Sequence, residues 1–196
     1  MEPRGDFGFQ FEFGRGLTVV RGSNSSGKST LFNCLMYGLG MEELVGGRGE
    51  KVLPYAVKEF FNLGEERVEV VASEVFVELE NSSGASVTLR RAIRDTVRDS
   101  KLVEVFDGTL LTVSSSEVGS PKPTFLFDPG SAKKEEGFHQ FLETFMGYEL
   151  PAVATTSGGM TKLYLQAVFA ALAVEQKRGW TDYIANSAGD GSGVDL

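Results

Sequence analysis

Phenylalanines alternate with small or polar residues early in the chain, at Phe7, Phe9, Phe11 and Phe13. An alternation of period two predicts a β-strand with one apolar face. A turn at Gly14-Arg15-Gly16 follows, and the run Leu17-Thr18-Val19-Val20-Arg21 is typical of a second strand. The pattern therefore predicts a β-hairpin over residues 7–21.

The next apolar residues recur with helical spacing. Leu31, Leu35 and Met36 lie near one face of a predicted helix over 29–39, which Gly40 ends. The elements predicted after Gly40 are a short helix over 55–63, a strand over 68–79 with a bulge near Val71, a turn at 81–84, a strand over 85–93, a hairpin of 101–106 and 109–113 that turns at Asp107-Gly108, a strand at 125–127, a helix over 132–146, and a helix with a short strand over 162–174. This order differs from a simple βαβα alternation.

A phosphate-binding motif lies between the second strand and the first helix. Gly22-Ser23-Asn24-Ser25-Ser26-Gly27-Lys28-Ser29 matches G-x-x-x-x-G-K-[ST] at every fixed position. Strand, glycine loop and helix is the required context, because consecutive amides and a helix N-terminus must face phosphate oxygens. Lys28 is expected to be catalytic and to reach the outer phosphates, and the Ser29 hydroxyl is expected to ligate Mg²⁺. The predicted nucleotide-binding residues are Gly22, Ser23, Asn24, Ser25, Ser26, Gly27, Lys28, Ser29 and Thr30.

The motif and its surroundings resemble the first part of SMC-type ATPase heads of the ABC superfamily. The resemblance is carried by residues 5–40, with Phe11, Phe13, Gly16, Leu17, Val19, Val20 and the loop through Leu31 in the family's spacing. It implies an α/β phosphate-loop NTPase fold, namely an N-terminal head lobe with a mixed sheet that includes antiparallel strands and with flanking helices. It also implies ATP and Mg²⁺ as ligands.

In such heads the N-terminal lobe ends at a glutamine loop, and a C-terminal lobe carries the signature motif and the Walker B acid. The resemblance therefore implies a C-terminal lobe as partner, either a separate chain or a missing segment, and a head dimer driven by ATP and associated with DNA. Glu175-Gln176-Lys177-Arg178-Gly179-Trp180 resembles the glutamine loop, which implies that Gln176 is catalytic and contacts Mg²⁺ and the attacking water. An ordinary surface glutamine is the alternative. Together with Tyr37-Gly38-Leu39-Gly40, this segment resembles the SMC-like subunits of Lamassu-type anti-phage defence systems.

Two segments imitate the motifs of a C-terminal lobe. Thr124-Phe125-Leu126-Phe127-Asp128 has the apolar run and aspartate of a Walker B strand, but Pro129 stands where a glutamate is needed. Thr156-Ser157-Gly158-Gly159-Met160 imitates a signature, yet no Walker B pattern follows, so a glycine loop before a helix is the preferred interpretation.

A phosphate loop without these partners is expected to bind ATP and to hydrolyse it weakly or not at all, because phosphoryl transfer depends on positioned charges around the phosphate. One alternative is a self-contained phosphate-loop NTPase or nucleotide kinase that uses Asp128 as its Walker B acid. Another is a nucleotide-binding scaffold without turnover.

Composition and charge exclude several classes of function. The net charge of −8 excludes a simple polycationic nucleic-acid binder, and the single Cys34 excludes an intramolecular disulfide. His139 is the single histidine, which argues against histidine-based metal chemistry. No membrane-length apolar run and no secretory leader is recognised, so we expect no membrane association and a cytoplasmic location, nucleoid-associated in a bacterium. The expected domains are a head lobe over 1–186 and a flexible or engineered tail over 187–196.

One basic stretch stands out in this acidic chain. Residues 90–101 hold five basic side chains against two aspartates. Arg90, Arg94 and Arg98 would align on one face if the stretch were helical. The stretch is interpreted either as a contact for nucleic-acid phosphates or, preferably, as a solvated and internally salt-bridged face.

Overall fold

The computed structural model describes residues 5–112, 119–127 and 136–172. Its α-helices within these ranges are α1 (Lys28–Gly38), α2 (Tyr55–Lys58), α3 (Phe138–Met146) and α4 (Leu165–Ala170). Two 3₁₀ turns, Glu42–Val45 and Gly49–Val52, follow α1. The strands are β1 (Phe60–Leu63), β2 (Glu66–Glu69), β3 (Ser73–Glu80), β4 (Ser86–Arg94), β5 (Leu102–Asp107), β6 (Lys122–Phe125), β7 (Ala152–Ala154) and β8 (Met160–Lys162).

The main sheet has four antiparallel strands in the order β3-β4-β5-β6. Leu89 in β4 stands opposite Val77 in β3 on one side and Val105 in β5 on the other. Strands β1 and β2 form a separate hairpin, as do β7 and β8. The antiparallel part of the expected mixed sheet is thus present. Parallel pairing within the described ranges is confined to an isolated bridge between Phe125 and Gly137.

The core lies between one face of the main sheet and the helices. Because side chains alternate along each strand, Val77, Leu89, Val103 and Val105 all point to this face. They pack with buried residues of α1, the first 3₁₀ turn, α3 and α4, namely Met36, Leu44, Phe138, Leu142 and Leu165. Each such side chain stabilises the fold by about 1.5–3 kcal/mol through its removal from water.

The predicted hairpin over residues 7–21 is wrong, because these residues adopt no regular strand. The four alternating phenylalanines are 39–66% exposed. Contacts between this segment and the rest of the described structure include the Phe7 ring, 5.0 Å from that of Phe61, the Gln10 amide, which donates to the Leu111 carbonyl, and the ion pair of Arg15 with Glu80. A strand needs a hydrogen-bonded neighbour as well as alternation. Among the described residues no neighbour pairs with this segment.

Other boundaries also shift. The helix predicted over 55–63 ends at Lys58, and its second half is β1. The strand predicted over 68–79 is divided into β2 and β3 near Val71, where a bulge was expected. Residues 109–112 do not return as a strand beside β5, because β6 takes that edge and the Glu78 carboxylate accepts from the Leu111 and Thr112 amides. The strand predicted at 125–127 corresponds to β6, which begins three residues earlier, at Lys122.

The remaining elements agree with the pattern more closely. Helix α1 and the β3–β4 hairpin, with its turn at 81–84, are confirmed. Helix α3 lies within the predicted 132–146 but begins at Phe138, and α4 lies within the predicted 162–174. None of the helices in the described part is long and apolar enough to cross a membrane.

His139 connects α3 and α4 with the turn that follows α1. Its ring lies on α3, its Nε2 atom is 3.1 Å from the carbonyl oxygen of Gly40, and the Gln166 amide of α4 lies 2.8 Å from the same nitrogen. Burial lowers the pKa of His139 below its usual value, although the hydrogen bond to Gly40 and the charge of Glu42 act in the opposite direction. The folded protein therefore keeps this ring neutral at a pH where the unfolded chain already takes up a proton.

We expect the free energy of unfolding to fall as the pH drops below about 6.5, the usual pKa of histidine. The loss is at most ~1.4 kcal/mol per pH unit, and it continues until the pH reaches the lower pKa of the folded ring. His139→Gln removes the titrating ring and leaves an amide that can donate to Gly40. The variant should therefore lose less thermal stability than the wild type between neutral and mildly acidic pH, as followed by circular dichroism melts. Equal losses in both proteins would contradict a neutral, buried His139.

Candidate nucleotide-binding site

Helix α1 positions the predicted phosphate loop. It begins at Lys28, directly after Gly27, whose φ of +87° is the left-handed conformation that glycine adopts without strain. The first backbone bond of the helix runs from the Leu31 amide to the Gly27 carbonyl at 2.9 Å. The amides of the first turn have no partner within the helix, and no side chain of the described residues caps them. The helix dipole adds partial positive charge at this end.

The loop before α1 is a tight, exposed turn. The Ser26 amide lies 3.4 Å from the Ser23 carbonyl, and Ser25 has a φ of +63°. Gly22 approaches this turn so closely that an added Cβ would lie 2.5 Å from the Ser26 Oγ atom. The two glycines of the motif therefore have separate tasks, because Gly22 allows the close approach and Gly27 allows the turn into the helix.

The Lys28 side chain folds back across the turn. Its ammonium donates to the Gly22 carbonyl at 2.9 Å and to the Ser23 carbonyl at 2.6 Å. Ser29 is exposed and Thr30 is half-buried beside it. Backbone amides, an ammonium and a hydroxyl are thus collected at one helix N-terminus. This donor set fits the phosphate oxygens and the Mg²⁺ ion of a nucleotide.

The fold and the loop can now be compared with known families. Residues 6–121, more than half of the chain, match a family model described as an AAA domain. The chain belongs to this family of SMC-like AAA ATPases. Comparisons with curated proteins and with solved structures gave no match. The matched range of this ATPase domain includes the phosphate loop, α1 and strands β1–β5.

Membership in the family defines the general class of the site. The ATPase domain is a phosphate-loop nucleotide-binding domain, and its family implies ATP, typically with Mg²⁺. The roles of the individual loop residues stay predictions, as does the narrower resemblance to Lamassu-type subunits. The structure does bring all nine predicted binding residues, 22–30, to one turn and the helix end that follows it.

The phosphate loop is the part of the predicted site that the structure describes. Gln176 and Asp128 lie outside the described residues. The signature-like segment 156–160 forms the turn of the β7–β8 hairpin, where Thr155 Oγ1 accepts from the Gly159 amide at 3.0 Å. The expected glycine loop directly before a helix is therefore wrong, since the strand β8 follows.

The basic stretch 90–101 is not a helix. Arg90 and Arg94 belong to β4, and Arg98 lies in the turn after it. Arg90 pairs with Glu74 at 2.9 Å, while Arg98 pairs with Glu74 and with Asp95, each at 2.7 Å. Burial raises the pKa of Glu74, but hydrogen bonds and charges from the two arginines outweigh it and bring that pKa below its usual value. The salt-bridged interpretation is the one that the structure supports.

One buried residue at the far end of α1 was missed from the sequence. Arg91 lies buried against the carboxyl end of α1, where it pairs with Glu42. The signal for it was present, since Arg91 occupies an inward position in the alternation of Val87, Leu89 and Ile93. A charged side chain at an inward-facing position of a strand indicates that a partner for the charge is buried beside it. Within the described ranges no group of three His, Cys, Asp or Glu side chains could hold a metal ion.

Proposed function

We propose that this chain binds Mg·ATP at residues 22–30 and acts as the N-terminal lobe of an SMC-like ATPase head. The turn at the N-terminus of α1, with Lys28 folded across it, is the observation that carries the proposal. In this proposal the loop amides bind phosphate oxygens, Lys28 neutralises the outer phosphates and Ser29 ligates Mg²⁺. The ion, when bound, neutralises charge on the transferred phosphate.

The exposed apolar side chains before the loop support a partner lobe. Leu17 is 94% exposed and Val19 is 74% exposed, and the alternating phenylalanines precede them. Large exposed apolar side chains gathered in one segment of the chain are typical of an interaction site. We propose that a C-terminal lobe with a signature motif and a Walker B acid covers this segment. In the same proposal Gln176 joins the Mg²⁺ site, and ATP-driven pairing of heads is coupled to DNA binding, repair or anti-phage defence in the cytoplasm.

The proposal separates ATP binding from ATP turnover. We expect the purified chain to bind Mg·ATP in calorimetric titrations and to release phosphate at least about 100-fold more slowly than the ~10 s⁻¹ of an ordinary enzyme. The physical reason is that a phosphate loop alone lacks the groups that position water and stabilise transition-state charge. Failure to bind Mg·ATP would overturn the proposal. Ordinary turnover that Asp128→Asn abolishes would favour the self-contained NTPase or kinase instead.

A further inference from the structure

A buried arginine occupies the apolar face of β4. Arg91 is 1% exposed, and its partner Glu42, in the first 3₁₀ turn, is 0% exposed. Each buried ion costs several kcal/mol of desolvation before pairing, and well-packed apolar residues often replace such pairs without loss of stability. Stability alone is therefore a weak explanation for an ion pair at this position. Its other contacts indicate what else the pair does.

The guanidinium of Arg91 connects the end of α1, the first 3₁₀ turn and the chain just before β5. One nitrogen donates to the Tyr37 carbonyl at 2.6 Å, at the carboxyl end of α1. The Nε atom donates to the Ser100 carbonyl at 2.7 Å, just before β5, and the remaining donors meet the Glu42 carboxylate at 2.8 and 3.1 Å. A cation at a helix C-terminus also complements the helix dipole. Arg91 thus donates one hydrogen bond to the last turn of α1 and forms a bidentate pair with Glu42, so its planar guanidinium ties the end of α1 to the 3₁₀ turn that follows.

The same turn of α1 is held from β4 a second time. The Tyr37 ring centroid lies 3.7 Å from the guanidinium carbon of Arg91, and the Tyr37 hydroxyl donates to the Ala92 carbonyl at 2.6 Å. Burial raises the pKa of Tyr37 to about 12, so the hydroxyl stays a donor at physiological pH. Two successive residues of β4 therefore clamp one side chain of the helix.

Burial along α1 is confined to this clamped end. Its buried residues are Met36, Tyr37 and Gly38, while the residues from Lys28 to Leu35 are exposed or half-buried. Lys28 is nine residues from Tyr37, or about 14 Å along the axis, so a tilt of ~5° at the clamp moves Lys28 by about 1 Å. Asn33 also donates to the Val52 carbonyl and Leu35 packs against the core, so the second half of α1 sets the direction of the helix, and the phosphate loop is attached to its first turn.

We propose that Arg91 is a positioning residue for the phosphate loop. By holding the carboxyl end of α1 in one orientation, it determines where Lys28 and the amides of residues 22–30 stand. The inference rests on the proposed function, because nucleotide binding at the loop is its readout. A misplacement of ~1 Å in groups that must meet a substrate lowers reaction rates on the order of 100-fold. The same misplacement is expected to weaken the contacts of these groups with bound phosphates.

The test measures Mg·ATP affinity and thermal stability side by side in the full chain. Arg91→Lys keeps the charge and loses the planar fork. The double variant Arg91→Met with Glu42→Met replaces the ion pair by apolar side chains. Glu143→Gln is the matched control. Glu143 lies on α3, away from α1, is 3% exposed, and pairs with Lys162 at 2.6 Å. All titrations are made well below each variant's melting temperature.

We expect Arg91→Lys and the double variant to bind Mg·ATP about tenfold or more weakly. The double variant should keep most of the thermal stability of the wild type, because no buried charge is left unpaired. Glu143→Gln should lose thermal stability and keep its affinity within about twofold. A double variant that is stable and binds like the wild type would overturn the inference. An absence of binding by the wild type itself would instead count against the proposed function.

Discussion

Lys28→Ala is expected to lower the affinity for Mg·ATP by at least about 100-fold, which corresponds to ~3 kcal/mol. A hydrogen bond to a charged group contributes about 1.5–3 kcal/mol, and an ammonium among phosphate oxygens makes more than one. The change also removes the two bonds that hold the Gly22 and Ser23 carbonyls over the turn. The loss therefore combines a missing cation with a less ordered loop. Calorimetric titration with Mg·ATP measures it directly.

The control for this experiment is Lys51→Ala. Lys51 is an exposed lysine in the second 3₁₀ turn, so its removal changes the net charge by the same amount. The control should bind Mg·ATP like the wild type, and both variants should melt at nearly the wild-type temperature. If Lys28→Ala retained wild-type affinity, the nucleotide would have to bind elsewhere, and the proposed function would fail.

Gly40→Ala is expected to lower the free energy of unfolding by about 2–4 kcal/mol. Gly40 has a φ of +65°, and an alanine there loses about 1–2 kcal/mol in the left-handed conformation. The new Cβ would also lie 2.6 Å from Leu126 Cδ2 and 3.0 Å from Phe138 Cδ1. Both neighbours are fully buried, so they have little room to move. Urea denaturation followed by circular dichroism measures the loss.

Gly84→Ala separates the two causes. Gly84 has a φ of +82°, but nothing lies within 4 Å of its added Cβ. This control should lose only the backbone contribution of about 1–2 kcal/mol. Equal losses at Gly40 and Gly84 would mean that Leu126 and Phe138 move aside for the new methyl group without a further loss of stability.

The predictions that succeeded depend on local pattern. Helical spacing from Leu31 to Met36 identified α1. The alternation of Val75, Val77 and Leu79 before the turn at 81–84 identified β3 and its return as β4. The phosphate motif was found from eight consecutive residues, because the loop is built from its own backbone and two glycines. Each of these features is determined by residues close together in the chain.

The predictions that failed depend on which neighbour a segment meets. Alternation over 7–13 is as regular as that in β3, yet no described strand pairs with it. Asp107-Gly108 is a good hairpin turn, but the residues directly after it do not pair with β5. The partner of β5 is β6, which comes later in the chain. Sequence periodicity reports an apolar face and cannot report the partner that covers it.

The amino-acid sequence by itself determined the class of this protein, since a glycine-bounded loop with a lysine before a helix is a local device that suffices to predict a phosphate site. Only the tertiary structure decided how that device is held. Arg91 and Tyr37 are 54 residues apart in the chain, and their contact exists because β4 packs across the end of α1. Contacts of this kind follow from the packing of whole elements, since a local pattern can indicate that Arg91 is buried but not which residues it meets.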